Sequence, residues 1–250
     1  MTDDRPTPPT FEPLPEDWET ALFVVAHPDD IEYGGAAAVA RWTGQGKRIV
    51  YCMVTSGEAG IDGVPPDESG PLREGEEIAS ARAVGVDEVE FLRFPDGVLE
   101  YGVELRRVIA AVVRKHRPDI ALTINFRETF GGTNLNQADH IAVGRALLDA
   151  VRDAGNRWIF PEQLGDSVEP WGGVRAVWAG SSPQSTHAVD VTETFQAGVA
   201  SLKEHRAYIE GLGWEGWDPE EFLDGILRGG GQGLGVTHAA TFEVFPLGWG

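Results

Sequence analysis

The sequence predicts an α/β protein with a Rossmann-like, mainly parallel sheet and helices on both faces of that sheet. Short apolar segments alternate with segments of helical periodicity between residues 21 and 151, which is the rhythm of βαβ units with right-handed crossovers. The first apolar segment, residues 21–26, is rich in Val and Phe, as expected of a strand buried on both faces. No G-x-G-x-x-G motif follows a predicted strand, so the fingerprint of dinucleotide binding is absent.

The first four strands and helices follow from hydrophobic periodicity and from the residues that end each segment. Gly85 stops the second helix and Pro118 follows the end of the third. The second helix is predicted to bury an apolar face made of Leu72, Ile78, Ala79, Ala81 and Val84. The predicted strands are residues 21–26, 48–54, 89–93 and 119–124. The predicted helices are residues 36–42, 71–85, 103–116 and 141–151.

The two ends of the chain are less regular. Residues 1–16 contain five prolines and predict a flexible arm that precedes a single domain, residues 17–250. After residue 151 the pattern predicts strands near residues 174–178, 188–191 and 241–245 and a helix over residues 199–209. A glycine-rich run at residues 229–235 predicts either a mobile lid over a ligand or a surface loop. Tryptophans beside glycines are candidate platforms for a sugar ring, against the alternative that they simply pack: Trp171, Trp214 and Trp217.

The composition excludes several classes of function. The chain has 250 residues, 42% of them hydrophobic, and a formal net charge of -20, so we expect one domain that is repelled by nucleic acid and by anionic membranes. Its single cysteine, Cys52, excludes an internal disulfide and a cysteine-rich zinc site. No apolar run approaches the ~18 residues of a membrane span, and the amino terminus does not read as a signal peptide. We therefore expect a cytoplasmic protein whose oligomeric state stays open.

The first predicted strand ends in the sequence His27-Pro28-Asp29-Asp30. Pro28 has no backbone N–H to continue a ladder, so the chain leaves the sheet at His27, at the edge where ligands gather in open α/β sheets. Residues three apart on a turn that enters a helix can point at one centre, so His27 and Asp30 can share a metal ion while Asp29 faces elsewhere. The alternative is that both aspartates only cap the helix opening.

A second polar cluster, Asn136-Gln137-Ala138-Asp139-His140, begins the helix predicted over residues 141–151. A catalytic zinc ion takes three protein ligands and a water molecule, and imidazole and carboxylate ligands are both common. His140 completes that set with His27 and Asp30. Asp139 either orients a ligand imidazole as a hydrogen-bond acceptor or caps the helix.

These motifs resemble the LmbE-like (PIG-L) family of zinc-dependent N-acetylglucosaminyl deacetylases. The strand that ends in Ala26-His27-Pro28-Asp29-Asp30 and the later Asp139-His140 carry most of the likeness. Between them, residues 55–60 (Thr-Ser-Gly-Glu-Ala-Gly), Arg73 with Glu76 and Glu77, and residues 95–99 (Pro-Asp-Gly-Val-Leu) follow the family's order of motifs. The resemblance covers residues 21–151 and fades beyond them.

The resemblance implies a hydrolase that binds one Zn²⁺ per chain through His27, Asp30 and His140. Asp29 is then the general base that activates the water, and the substrate is a small amino-sugar conjugate that carries an N-acetyl group. Arg73 matches a substrate-binding arginine, and Asp96 belongs to the motif at residues 95–99 and is a further candidate contact with the substrate.

The chain departs from the family at Gln137, where the family usually has a histidine that acts as an acid or stabilises the oxyanion. An amide can donate a hydrogen bond but cannot give up a proton, so the proton for the leaving amine must come back from Asp29 or from another histidine. His238, which follows the glycine-rich run, is the candidate. Two other functions stay open: a metal-dependent hydrolase of another amide or ester, and a sugar-binding protein that keeps the zinc without turnover.

Overall fold

An eight-stranded sheet runs through the middle of the molecule and separates two layers of helices. The structure is a computed structural model that describes residues 10–165 and 167–248. The strands are β1 (Glu12–Pro13), β2 (Thr20–Val25), β3 (Arg48–Thr55), β4 (Glu88–Phe94), β5 (Ile120–Ile124), β6 (Thr129–Gly131), β7 (Asn134–Leu135), β8 (Ala176–Gly180), β9 (His187–Asp190) and β10 (Ala239–Pro246). The helices are α1 (Ala36–Gly44), α2 (Pro66–Ala83), α3 (Val103–His116), α4 (Ala138–Gly155), α5 (Phe195–Leu202), α6 (Arg206–Gly211) and α7 (Pro219–Leu234), with a 3₁₀ turn at Pro161–Gln163.

The strand order in the main sheet is β1-β9-β10-β8-β5-β2-β3-β4, and β6 pairs with β7 in a separate hairpin. Every neighbouring pair in the main sheet is parallel except the two pairs that β10 forms with β8 and β9. The chain runs outward from β2 through β3 to β4 and then returns to place β5 on the other side of β2. The order therefore reverses between β2 and β5, and such a switch point opens a crevice at the carboxyl ends of the strands.

The sheet is buried on both faces, which explains the continuous apolar runs in its central strands. Along β2, Phe23 and Val25 pack into one core and Leu22 and Val24 into the other, all four being inaccessible to solvent. Helices α3 and α4 cover the second core, while α1, α5 and α7 cover the first. The prediction of a mainly parallel sheet with helices on both faces is confirmed.

Helix α2 differs from its prediction in length and in the face that it buries. It begins at Pro66, and Pro71, the predicted first residue, lies inside it. Leu72 of the predicted apolar face is 40% exposed. The buried face is instead mostly polar, with the residues Ser69, Gly70, Arg73, Glu77, Ser80 and Ala81. Hydrophobic periodicity missed this face because its charged side chains are buried against other polar groups.

Two predictions for the last hundred residues are wrong. The helix expected over residues 199–209 is interrupted: α5 ends at Leu202 and α6 begins at Arg206, with His205 between them. The glycine-rich run is not a loop, since α7 continues through it to Leu234 and ends on Gly235 at φ 83°. A Cβ at Gly230 would collide with the carbonyl oxygen of Ala239, the first residue of β10, and a Cβ at Gly231 would collide with that of Thr237 in the connection before β10. The glycines let α7 pack closely on that strand, which periodicity does not reveal.

The described part of the predicted arm, residues 10–16, packs against the domain. Strand β1 pairs with β9 at the edge of the sheet, and Leu14 is buried. Arg41 and Trp42 of α1 donate hydrogen bonds of 2.9 Å to the Glu16 carboxylate. Residues 1–9 of the arm lie outside the described residues.

Among the described residues, no helix is sufficiently long and apolar to cross a membrane.

Candidate metal and catalytic site

A cleft of about 790 Å³ opens at the switch point between β2 and β5, and the predicted site residues meet there. The turn after β2 supplies His27, Asp29 and Asp30, and the first turn of α4 supplies His140. The size lies within the range of small-molecule sites. The fold therefore joins the two sequence clusters, which are more than a hundred residues apart in the chain.

The turn after β2 is held by its own hydrogen bonds and contains a strained residue. The His27 backbone N–H donates to Asp30 Oδ2 at 2.9 Å. Asp29 has φ 92°, a conformation that is unfavourable for a residue with a side chain. Its backbone N–H donates to Glu77 Oε2 at 3.0 Å. This strain is maintained by buried contacts, and such outliers cluster at functional sites.

Three potential ligand atoms, from His27, Asp30 and His140, converge within 4.8 Å of one another. The distance from His27 Nδ1 to His140 Nε2 is 3.2 Å, and His140 Nε2 lies 3.0 Å from Asp30 Oδ1. Ligands about 2.1 Å from a tetrahedral zinc ion are separated by roughly 3.4 Å. The spacing and the mixed nitrogen and oxygen donors therefore fit such an ion.

The partners of both imidazoles leave one ring nitrogen on each free to face the shared centre. His27 Nε2 lies 3.0 Å from Asp96 Oδ1 and 3.3 Å from Asp139 Oδ2, and His140 Nδ1 lies 2.8 Å from Asn136 Oδ1. The Asn136 amide nitrogen donates to two backbone carbonyls, which assigns its oxygen to His140. In neutral rings with these donors, His27 Nδ1 and His140 Nε2 present lone pairs to each other, an arrangement that a cation between them stabilises.

Negative charge dominates the surroundings of His27. Burial acts to lower the pKa of His27, but Asp30, Asp139 and Asp96 outweigh it and raise that pKa well above its ordinary value. Asp139 is itself fixed by the backbone N–H groups of Gly97 and Leu99, at 2.8 and 3.0 Å. Its carboxylate therefore contacts the imidazole of His27, and α4 receives no side-chain cap, so of the two sequence interpretations the geometry favours the contact with His27 over the helix cap. The charge around this ring favours a bound cation.

Asp29 does not belong to the group of three converging ligand residues and has the environment of a proton acceptor. Burial raises the pKa of Asp29 to about 7, and the charge of Arg73 acts in the opposite direction. One oxygen, Oδ1, lies 3.2 Å from Arg73 Nη2, while Oδ2 has no hydrogen-bond partner among the described residues. Asp29 borders the cleft, so a group in the cleft can reach this carboxylate.

The Arg73 side chain is buried and does not project freely into the cleft. It is 2% exposed and donates to the carbonyl oxygens of Gly57 at 2.9 Å and Pro28 at 2.5 Å. The guanidinium also stacks on the ring of Tyr208, 4.0 Å from its centroid. A Cβ at Gly57 or Gly60 would collide with Arg73. The neighbouring loop therefore needs glycine where this arginine crosses it.

The remaining predicted residues are divided between the cleft and another part of the molecule. Asp96 and Gln137 border the cleft, and Asp96 Oδ2 also accepts from the Ala59 backbone at 2.8 Å. His238 lies elsewhere: its Nε2 is 2.9 Å from Asp224 Oδ1, and its ring stacks on Phe195 with a centroid distance of 4.2 Å. The structure therefore does not bring His238 to the cleft, because the run before it is helical and cannot swing.

Aromatic side chains form much of the cleft wall, and sequence reasoning found only one of them. The aromatic residues of the wall are Phe23, Tyr33, Phe130, Tyr208, Trp214 and Phe222. Of the three tryptophans proposed as sugar platforms, Trp214 borders the cleft and Trp217 packs against Trp214. Trp171 lies elsewhere, where its indole N–H donates to the Pro118 carbonyl. The tyrosines carried no sequence signal. Asn136 did, because it belongs to the polar cluster at residues 136–140 that contains His140.

Comparisons with known proteins identify a family, several relatives and a solved structure that this chain resembles. A model of the PIG-L family, described as GlcNAc-PI de-N-acetylase, matches residues 22–151, more than half of the chain. The chain is 29% identical over 232 residues to a diacetylchitobiose deacetylase of Thermococcus kodakarensis, covering 92% of this chain and 84% of that protein. It is 29% identical over 185 residues to a 1D-myo-inositol 2-acetamido-2-deoxy-alpha-D-glucopyranoside deacetylase of Streptomyces avermitilis, where it spans 63% of this chain and 60% of the relative. The structure of an N,N'-diacetylchitobiose deacetylase from Pyrococcus horikoshii superposes with a TM-score of 0.84 at 23% identity, covering 92% of this chain and 85% of the other.

Proposed function

Because the chain belongs to the PIG-L family of de-N-acetylases, we propose that it is a metal-dependent amide hydrolase. Its substrate in this proposal is an N-acetylglucosamine-type amino sugar or a conjugate of one, from which it removes the acetyl group. The relatives named above are deacetylases of N-acetylated sugars. Their names support the substrate class, and the cleft supports the chemistry.

The observation that carries the proposal is the position of Asp29 beside the three converging ligand atoms. Those atoms come from two imidazoles and a carboxylate, a donor set that suits Zn²⁺. When bound, such an ion lowers the pKa of a coordinated water toward ~7 and polarises a carbonyl group. His27, Asp30 and His140 are the residues that would bind it.

Asp29 is the proton acceptor of the proposed reaction. Asp29 borders the cleft, and its buried Oδ2 has no hydrogen-bond partner among the described residues; in this proposal the carboxylate takes a proton from the water that attacks the amide. The raised pKa of Asp29, about 7, lies near the pH at which a general base is most effective. The contact with Arg73 holds Oδ1, which restricts the orientation of the other oxygen.

The amine that leaves must receive a proton when the tetrahedral intermediate collapses. Gln137 borders the cleft and can donate a hydrogen bond to an oxyanion, but its amide cannot supply that proton. His238 is bound to Asp224 and stacked on Phe195. Asp29 is therefore the residue that both takes the proton from water and returns it to the amine, and general acid and base roles in one carboxyl group are chemically compatible.

The aromatic wall supports a sugar substrate. Tyr33, Tyr208 and Trp214 border the cleft, and aromatic rings with polar edges suit a pyranose ring that has apolar faces and hydroxyls at its rim. The net charge of -20 favours neutral or cationic ligands over anionic ones. A neutral N-acetylated sugar, whose product is a cationic amine, agrees with this preference.

The test is an activity screen of the zinc-loaded protein against N,N'-diacetylchitobiose, N-acetylglucosaminyl-inositol and N-acetylglucosamine, with acetyl esters and simple acetamides as comparison substrates. Release of free amine from a sugar with little hydrolysis of the esters supports the proposal. Preferential hydrolysis of the esters or simple acetamides would instead assign another amide or ester substrate. Saturable binding of the sugars without amine release would assign the non-catalytic sugar-binding function.

A further inference from the structure

A second cluster of potential metal ligands lies next to the turn after β2, here called the catalytic turn, which contains His27, Asp29 and Asp30. This cluster plays no part in the proposed reaction. It contains Glu32 from the turn after β2, Glu77 from α2 and His205 from the α5–α6 junction. The ligand atoms of these residues lie within 4.8 Å of one another. All three side chains are at most 1% exposed. The break between α5 and α6 is what allows His205 to point inward from the end of a helix.

Four buried polar atoms of these three residues have no hydrogen-bond partners among the described residues. They are Glu32 Oε2, Glu77 Oε1 and both ring nitrogens of His205. The other oxygen of each glutamate is occupied, because Ser80 Oγ donates to Glu32 Oε1 at 2.7 Å and the Asp29 N–H donates to Glu77 Oε2. Buried polar atoms without partners are costly and are rare in native proteins. Four such atoms in one place therefore indicate a ligand that this cluster binds.

The charges in the cluster indicate the sign of that ligand. Within the described residues, neither Glu32 nor Glu77 forms an ion pair with a lysine or arginine, and His205 is the basic side chain that faces both. Burial and the charge of Arg73 lower the pKa of His205 to about 3, so the ring is neutral at neutral pH. Burial raises the pKa of Glu32 to about 7, and burial together with the charge of Glu32 raises the pKa of Glu77 well above its ordinary value, so two ionised carboxylates are unfavourable here and the pair holds protons unless a cation takes their place. A divalent cation neutralises both.

The spacing of the ligand atoms fits a transition-metal ion. His205 Nε2 lies 3.7 Å from Glu32 Oε2 and 3.7 Å from Glu77 Oε2, too far for hydrogen bonds. These two distances are slightly longer than the roughly 3.4 Å that separates ligands about 2.1 Å from a tetrahedral zinc ion. One imidazole and two carboxylates are ligands of Zn²⁺ and of related first-row ions.

We propose that Glu32, Glu77 and His205 bind a second divalent metal ion, of the Zn²⁺ or Mn²⁺ type, at a structural site distinct from the cleft. The ion joins the catalytic turn, α2 and the α5–α6 junction at one point. Because Glu77 also accepts the Asp29 N–H, the site fixes the strained backbone of the proposed base. A site with at most 1% exposure exchanges its ion slowly, unlike a site that opens into a cleft.

The experiment is metal analysis of protein produced in medium supplemented with zinc, and separately with manganese. We expect two equivalents per chain in the wild type, one in His140→Ala and one in His205→Gln. Dialysis of the folded wild type against a chelator should remove the cleft ion readily and leave the second until the protein is unfolded. His187→Ala is the matched control, because His187 is remote from both clusters and pairs with Glu12.

One equivalent in the wild type, lost in His140→Ala, would overturn the second site and leave the proposed function intact. The wild-type measurement decides this even when His205→Gln fails to fold. Conversely, one equivalent that survives His140→Ala and is lost in His205→Gln would support the second site and remove the cleft metal from the proposed function. Two equivalents in folded His205→Gln would also overturn the second site, because the ring would then not be a ligand.

Discussion

Arg73 Nη2 lies 3.2 Å from Asp29 Oδ1 and at the same time donates to the carbonyl oxygen of the preceding residue, Pro28. One guanidinium therefore contacts both the side chain and the backbone of the turn that contains the proposed base. Both side chains are buried, and a charge pair with so little solvent around it is sensitive to the loss of either partner. We infer from these contacts that Arg73 positions Asp29, while the contact with substrate that the family resemblance implies stays a prediction, because Arg73 also borders the cleft.

Replacement of Arg73 by lysine tests this positioning role. An ammonium group carries one point charge and cannot reproduce a planar fork that reaches Gly57, Pro28 and Asp29 together. We expect kcat to fall by roughly 10²-fold, the cost of a small misplacement of a catalytic group, with KM little changed. Steady-state kinetics of the metal-loaded variant measure both. A higher KM with unchanged kcat would instead make Arg73 a substrate-binding residue, as the family resemblance implies.

Removal of the Arg73 charge should shift the pH dependence of activity. Asp29 must be ionised to accept a proton, burial raises its pKa to about 7, and the Arg73 charge acts to lower that pKa. In Arg73→Gln the pKa of Asp29 rises further, so the acid limb of the kcat/KM profile should move to higher pH. Arg93→Gln is the control, because Arg93 is an exposed arginine paired with Glu74. An acid limb that stays in place in Arg73→Gln would show that Asp29 does not set it.

Replacement of Asp29 by asparagine should separate catalysis from metal binding. Asp30 supplies the carboxylate near His140, so the variant should keep the cleft metal. The amide cannot accept the proton, and a general base contributes typically ~10²–10⁴-fold, so kcat should fall by that factor. Metal content and turnover are measured on the same sample. A rate within a few-fold of the wild type would exclude Asp29 as the base.

Glu16 should contribute to stability by attaching the amino-terminal segment to α1. Its carboxylate accepts from the indole N–H of Trp42, a fully buried residue, and a buried donor without a partner costs about 1–3 kcal/mol. Glu16→Ala should therefore lower Tm by roughly 2–10 °C, measured by calorimetry. Glu19→Ala, an exposed glutamate in the same segment, is the control. Equal Tm values for the two variants would contradict this role.

The same carboxylate gives that stabilisation a pH dependence. Burial opposes ionisation of Glu16, but the hydrogen bond and charge of Arg41 outweigh it and lower the pKa of Glu16 below 4.5. A carboxyl group whose pKa is lower in the folded state stabilises that state at pH values above its unfolded pKa. This stabilisation is lost as the pH falls through the pKa of the folded state. The difference in Tm between wild type and Glu16→Ala should therefore shrink below about pH 4.5.

The central sheet and the convergence of the candidate metal ligands were predictable because their signals are local. The apolar run of β2, the proline after it and the spacing of His27 and Asp30 all lie within ten residues, and His140 begins a helix of clear periodicity. The structure brings these three ligand atoms together. Local signals are sufficient to predict a strand or a ligand residue where one segment of the chain determines both its own structure and its position at the edge of the sheet.

The remaining features depend on contacts between segments that are distant in sequence. The buried face of α2 contains Arg73 and Glu77, whose burial is compensated by groups on the turn after β2 and is not visible in hydrophobic periodicity. The glycines of α7 were interpreted as a loop because glycine disfavours helices by about 1 kcal/mol each, whereas close packing against β10 determines the observed structure. His238 was expected in the cleft as a consequence of that interpretation.

The acid partner of the reaction can be assigned by comparing variants of Gln137 and His238. Gln137 borders the cleft, and loss of one oxyanion donor typically costs on the order of 10²-fold in kcat, so Gln137→Ala should show a loss of that order while keeping its metal. His238→Ala removes the contact with Asp224 outside the cleft and should leave kcat nearly unchanged while lowering Tm.

Gln137→His should add an alkaline limb to the pH profile of kcat, because an imidazolium that donates a proton is lost as the pH rises through its pKa. A silent Gln137→Ala together with a large loss of kcat in His238→Ala would contradict the assignment of both proton transfers to Asp29, since the proton would then come from a residue that the fold keeps out of the cleft.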